Sequence, residues 1–133
     1  YLWDKYPTKN YSCNDLSKEE SFKEMNPLLR EVIDFKEGDS EDVIKHLQSV
    51  DLFISSDHLM HLQYEKADNI LNHLNNVLKP KYILFRELKK EYETPNHPRL
   101  FHNYELLKNG YSLVEELTSA NAKQYFIWLL KRK

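Results

Sequence analysis

Glycine is nearly missing from this chain. Gly38 and Gly110 are its two glycines in 133 residues, against an ordinary share of about 7%. Few positions are therefore free to take a positive φ, which argues against tight hairpins and glycine-rich phosphate loops. Cysteine is scarcer still. Cys13 stands alone, so no internal disulfide is expected and a reducing compartment such as the cytoplasm is favoured. Long apolar runs are also lacking. The longest is the six-residue stretch Tyr125–Leu130, far short of the roughly 20 residues that a bilayer span needs. Neither sign of charge dominates: the net charge is −2 and the pI about 6.3. General attraction to phosphate backbones is not expected, and nucleic acid is not an expected partner. Gly-x-x-x-x-Gly-Lys, Gly-x-Ser-x-Gly and Cys-x-x-Cys are all absent, so the common nucleotide-cradling, serine-nucleophile and dithiol chemistries lose their sequence markers.

What is present reads as a folded domain. The chain is 41% hydrophobic and 30% charged, a globular balance rather than a disordered one. Its length suits a single domain that buries a core without disulfides. It opens on Tyr1, which leads us to expect a processed form or a piece of a longer protein. Asn10-Tyr11-Ser12 fits a glycosylation sequon but has no other secretory feature beside it, and is read as a chance triplet.

The punctuation points to helices. Residues 1–14 show no period and are expected to form an extended arm, with 15–133 as one helical domain. Ser17 with Glu20 makes a capping box. Asn26-Pro27 places a cap before proline at the first helical position, and the helix it opens is expected to run to about residue 36. Asp39 or Ser40 caps the next helix. Ser56 is expected to cap the longest one, about 57–79, ended by Pro80. Further helices are read over about 81–93, from Pro98 to Asn109-Gly110, and from Ser112 to about residue 131. The resulting expectation is an all-α fold: a compact bundle of about six to seven helices with short loops.

Candidate chemistry centres on His58, His61 and Glu65. On a helix over 57–79, spacings of three and four make these side chains neighbours. The same wheel, at about 100° per residue, sets them opposite Leu59, Ala67, Ile70, Leu71, Leu74, Val77 and Leu78. They then face solvent, and a catalytic metal needs an enclosed, supported site. No metal and no cofactor are therefore expected, with these three residues as the candidates should a metal centre exist. His97, Arg99 and His102 are read as loop polarity, although a helix start beside Arg99 could hold an anion. Cys13 has no histidine near it in sequence to activate it.

The chain's surplus apolar surface suggests a different role. Six large apolar residues in a row cover a helix on all sides. Phe126, Ile127, Trp128 and Leu130 are then either central core or a patch for another chain, and Trp3, Tyr6 and Tyr11 add anchors of the kind interfaces use. The expected function is a non-catalytic regulatory or protein-interaction domain that binds a protein partner or a second copy of itself. The alternatives are a metal-dependent enzyme built on the histidine face and a carrier of apolar ligands.

Overall fold

The computed structural model describes residues 10–89, 104–117 and 123–133, with the backbone alone for Leu88. Trp3, Tyr6, His97, Arg99 and His102 lie outside the described residues. The chain divides into two compact units, the first ending at His46 and the second beginning at Leu47.

In the first unit, β1 (Ser12–Asp15) and β2 (Asp34–Glu37) pair in parallel, with Ser12 opposite Asp34 and Asp15 opposite Glu37. The expected boundary between arm and domain thus falls inside β1. Two short helices, α1 (Lys18–Glu24) and α2 (Pro27–Val32), form the crossover, and α3 (Ser40–Lys45) follows β2. The helix starts agree with the sequence reading. Ser17 accepts a hydrogen bond from the Glu20 N–H, and Asn26 accepts one from the Leu28 N–H with Pro27 next to it. Asp39 caps α3 through the Glu41 N–H. The end of α2 does not agree. Ile33 is already extended, and Ile33-Asp34-Phe35-Lys36 alternates apolar with polar, the period of a strand. Phe35 meets Phe22 of α1 edge to face at 5.4 Å. The Asn14 side-chain amide ties the two strand ends together by donating to the carbonyls of Lys36 and Gly38 at 2.7 and 2.9 Å.

The second unit is a four-stranded mixed sheet. β3 (Leu52–Ser56) pairs in parallel with β4 (Tyr82–Leu88). β6 (Tyr125–Arg132) runs antiparallel between β4 and β5 (Tyr111–Leu117), giving the order β3-β4-β6-β5. A bulge between Leu113 and Glu115 bends β5. A short 3-10 turn, Leu59–His61, leads into α4 (Tyr64–His73), which continues as a wider π turn over Leu74–Leu78. The helix returns the chain from β3 to β4, so this is a βαβ unit. Its buried stripe is Ala67, Ile70, Leu71, Leu74 and Leu78, as the sequence suggests, but Val77, expected beside them, is exposed, and Leu59 is buried in the preceding 3-10 turn. With Ile83, Phe85, Leu107, Tyr111 and Leu130 the stripe forms the core of this unit, each large side chain contributing about 1.5–3 kcal/mol by leaving water.

The fold is therefore α/β, not an all-α bundle, and three physical causes explain the difference. First, β4 buries one face, that of Ile83, Phe85 and Glu87, and half-buries the other, that of Tyr82, Leu84 and Arg86. The half-buried face also carries apolar side chains and the buried one a glutamate, so hydropathy does not alternate along the strand, and Leu84 and Leu88 fall at helical spacing by coincidence. Second, Tyr125–Leu130 is apolar all round because β6 is a central strand whose side chains are half-buried or buried on both faces of the sheet. Third, scarcity of glycine does not exclude this kind of sheet. Parallel strands joined by helices need no hairpin glycine, and the left-handed positions are taken by Asp57 (φ 52) and Lys79 (φ 49).

Candidate functional site

Open α/β sheets bind ligands outside the carboxyl ends of their strands. In the second unit those ends carry Ser55, Ser56 and Asp57 from β3, and Arg86 and Glu87 from β4. Register sets Ser56 opposite Arg86, so the two strands deliver their last polar side chains at one level.

Asp57 is the point of strain. Its φ of 52 lies in the left-handed region, which costs a residue with a Cβ on the order of 1–2 kcal/mol. The conformation is held by its own N–H, which donates to the Arg86 carbonyl at 2.8 Å, and by an ion pair between its Oδ2 and Arg86 Nη1. Arg86 is fixed in turn by Tyr125, whose ring lies 3.9 Å beneath the guanidinium, a favourable cation–π geometry. The other carboxylate oxygen, Oδ1, is buried and meets no donor among the described residues. Strain and an unpaired acceptor at one strand end are features that structural needs alone do not call for.

Glu87 anchors the segment that leaves β3. It is 1% exposed, and its carboxylate accepts from Ser55 Oγ at 3.2 Å, the Leu59 N–H at 3.2 Å and the Met60 N–H at 3.3 Å. The 3-10 turn thus starts on a buried carboxylate that satisfies its first N–H groups. Burial lifts the Glu87 pKa above the ordinary value, opposed by these same hydrogen bonds. Tyr104 stands close by. Its ring packs against Phe85 and Phe126, each at 5.4 Å, and Trp128 at 6.3 Å. Burial first, and the charge of Glu87 second, hold its hydroxyl protonated far above the usual tyrosine range.

In the first unit, Asp15 ends β1. Its Oδ1 accepts from the Leu16 N–H at 2.6 Å and its Oδ2 from Ser21 Oγ at 2.9 Å. Cys13 is half-buried, and its thiol is pushed up by burial and by Asp15 and Asp34. It is a poor nucleophile on that account.

The residues singled out from sequence are distributed differently. His58 precedes the 3-10 turn, His61 ends it, and Glu65 lies in the first turn of α4. The single helix that made them neighbours does not exist, because the backbone is extended at Leu62 and Gln63, between the 3-10 turn and α4. Among the described residues, no group of three or more His, Cys, Asp or Glu side chains is arranged to hold a metal. Phe126, Ile127, Trp128 and Leu130 lie in β6 rather than on a helix, half-buried or buried. Tyr11 is half-buried, and its carbonyl accepts from the Asp34 N–H at 3.0 Å. Sequence reasoning passed over Ser55, Arg86, Glu87 and Tyr104. A strand–helix–strand reading of residues 52–88 would have placed the first three at strand ends.

No protein-family model matches the chain, and neither does any curated protein. Solved structures do match it. An O-methyltransferase family protein from Burkholderia thailandensis superposes with a TM-score of 0.72 at 15% identity, over 99% of this chain and 46% of its own. The fold is that of the methyltransferases. Human N-acetylserotonin methyltransferase in complex with SAM matches at 0.62 and 20% identity, over 98% of this chain and 42% of that one. A pericyclic reaction enzyme matches at 0.68 and 13%, over 99% of this chain and 39% of its own. This chain spans less than half the length of these three structures. The methyltransferase fold overturns the expectation of a non-catalytic helical interaction domain, because the apolar helix assigned to a partner is a central strand. The metal-enzyme alternative rests on one continuous helix over 57–79, of which α4 keeps only the part from Tyr64, and the carrier alternative on a C-terminal helix that is β6. Among the described residues, no helix is long and apolar enough to cross a membrane.

Proposed function

We propose that the chain forms part of an S-adenosylmethionine-dependent methyltransferase domain acting on an oxygen nucleophile. One observation carries this reading: the order β3-β4-β6-β5, with antiparallel β6 between β4 and β5, lies in a chain that solved methyltransferases match over 93–99% of its length. A fold hosts several chemistries, so the strand-end residues must bear the rest of the argument.

S-adenosylmethionine carries no phosphate, so scarcity of phosphate-cradling glycine does not bear on it. When bound, it supplies an electrophilic methyl group on a sulfonium.

The chain's own residues would then prepare the oxygen that is methylated. Asp57, whose side chain is 33% accessible, would take the hydroxyl proton. Arg86, stacked on Tyr125, would hold the carboxylate in position. Glu87 would keep the 55–60 segment in register through Ser55, Leu59 and Met60. A protein partner forms no part of this reading, since β6 is covered by β4 and β5 along its edges and by Tyr104 over Phe126 and Trp128.

The test is transfer of labelled methyl from S-adenosylmethionine to a panel of phenols and alcohols. Asp57→Asn is expected to lower kcat by about 100-fold, the scale of a lost general base, with the KM for the cofactor unchanged. Full turnover in that variant would remove Asp57 from the role.

A further inference from the structure

Some lysines of this chain stand beside an acid and others do not. Lys23, Lys36, Lys45 and Lys108 each pair with a nearby carboxylate. Lys79, Lys81, Lys131 and Lys133 are exposed, and none of them pairs with an acid among the described residues. The fold gathers these lysines at one end of the sheet, where β4 begins and β6 ends. Lys131 stands opposite Tyr82. The Arg132 N–H donates to the Lys81 carbonyl at 2.9 Å, and the Lys133 N–H to the Gly110 carbonyl at 3.0 Å. Lys79 takes the left-handed position that closes the π turn, two residues before Lys81.

Arg132 adds a further cation, held by the Asn75 carbonyl at 2.8 Å and the Tyr111 ring. Opposing charges are fewer. They are Asp51, whose carbonyl accepts from the Tyr82 N–H, and the terminal carboxylate at Lys133; Glu105 is taken by Lys108. A surplus of positive charge thus sits on a chain whose net charge is −2. Four residues of β4, roughly 13 Å, separate this end from Arg86, so the patch is distinct from the strand-end site.

The side chains point to the partner's chemistry. Lysine is a strongly hydrated point charge on a flexible stem, without the planar fork that matches phosphate geometry. It suits a diffuse anionic surface. The bare aromatic platform on which single-stranded nucleic acid stacks is not offered: Tyr82 is half-buried, and Lys81 Nζ lies over its ring at 5.6 Å. What adjoins the lysines is an exposed aliphatic side chain, Val77 at 65%, two residues before Lys79. Cations for headgroups beside an apolar side chain for the acyl boundary are what peripheral membrane contact uses.

We infer that this end of the sheet is a docking surface for an anionic lipid bilayer, with the lysines against the headgroups and Val77 entering the interface. The contact is peripheral and needs no spanning helix.

Co-sedimentation with vesicles tests this. Phosphatidylcholine vesicles with about 30 mol% phosphatidylserine are expected to pull the chain down saturably at about 50 mM salt and to release most of it at about 300 mM, where screening is stronger. Pure phosphatidylcholine should bind at least about 100-fold more weakly, since each lysine near an anionic surface contributes about fivefold. Lys81→Gln with Lys131→Gln should weaken binding roughly 25-fold on the same scale, and Val77→Ser about threefold. Lys23→Gln with Lys45→Gln removes the same charge from ion-paired positions and should leave binding unchanged. All of these positions are exposed, so circular dichroism is expected to stay that of the native chain. Absence of sedimentation with anionic vesicles at low salt would overturn the inference. So would equal binding to the two lipids, or an equal loss in the Lys23 and Lys45 control. Tighter binding to a single-stranded thymidine oligonucleotide, read by fluorescence anisotropy, would overturn it in favour of nucleic acid. No methyl transfer enters these readouts, so failure here and failure of the proposed activity are distinguishable.

Discussion

Asp57 combines two unfavourable features, a left-handed backbone and a buried carboxylate oxygen without a donor. Removal of both should leave the fold intact and impair the site. Asp57→Gly is expected to hold or raise stability by up to about 1 kcal/mol in chemical denaturation, because glycine takes positive φ freely, while methyl transfer falls. A fall in stability of several kcal/mol would show that Asp57 is structural. Lys79 provides the control. It takes φ 49 just after the π turn and before Pro80, with no chemistry attached. Lys79→Gly is expected to stabilise by about 1 kcal/mol without any effect on activity. Glu87 sets the pH dependence. Burial raises its folded pKa above the ordinary 4.5, so the folded state holds its proton more tightly than the unfolded chain does. Its contribution to stability is present in full below the unfolded pKa and is lost as pH rises through the folded one. Melting temperature measured against pH should therefore fall across that window in the native chain relative to Glu87→Gln; parallel curves would contradict the assignment.

At the scale of elements, the tightest junction is where β5 begins. A Cβ on Gly110 would sit 2.0 Å from Asn75 Oδ1 and 2.6 Å from Arg132 Nη1. Arg132 itself donates to the Asn75 carbonyl at 2.8 Å and lies over the Tyr111 ring at 5.1 Å. Gly110→Ala is expected to destabilise by about 1 kcal/mol, because the Arg132 and Asn75 side-chain ends must turn aside and give up their contact, with a loss of several kcal/mol the contrary result. Sequence placed this glycine at the end of a helix; the residue was rightly singled out, but its role is close approach. The same pattern holds elsewhere. The stripe of α4 and the caps at Ser17, Asn26 and Asp39 were legible, because helical period and capping are local. The strands were not. β4 buries one face and half-buries the other, and β6 is at least half-buried on both from Tyr125 to Leu130, so neither leaves a clean period of two in the sequence. The site was equally hidden: nothing local marks Asp57 for positive φ, and a glutamate such as Glu87 is expected at the surface. β3 poses one further test. It is an edge of its sheet, yet Leu52 and Ile54 are 41% and 47% exposed. Such an edge invites aggregation. Lysine at both positions should lower aggregation on heating, measured by light scattering, with little change in melting temperature.

At the scale of the whole molecule, composition gave a sound count of what the chain lacks but a wrong inference about topology. Few glycines argue against phosphate loops and tight hairpins; they do not exclude parallel strands joined by helices. The βαβ unit of residues 52–88 brings Asp57, Arg86 and Glu87 to one level, and the antiparallel pair β5–β6 completes a sheet that solved methyltransferases share. Calorimetric titration of the folded chain with S-adenosylmethionine tests that account most directly. Saturable binding at one site, displaced by S-adenosylhomocysteine, is the expected result. No heat of binding and no rise in melting temperature at millimolar cofactor would contradict it.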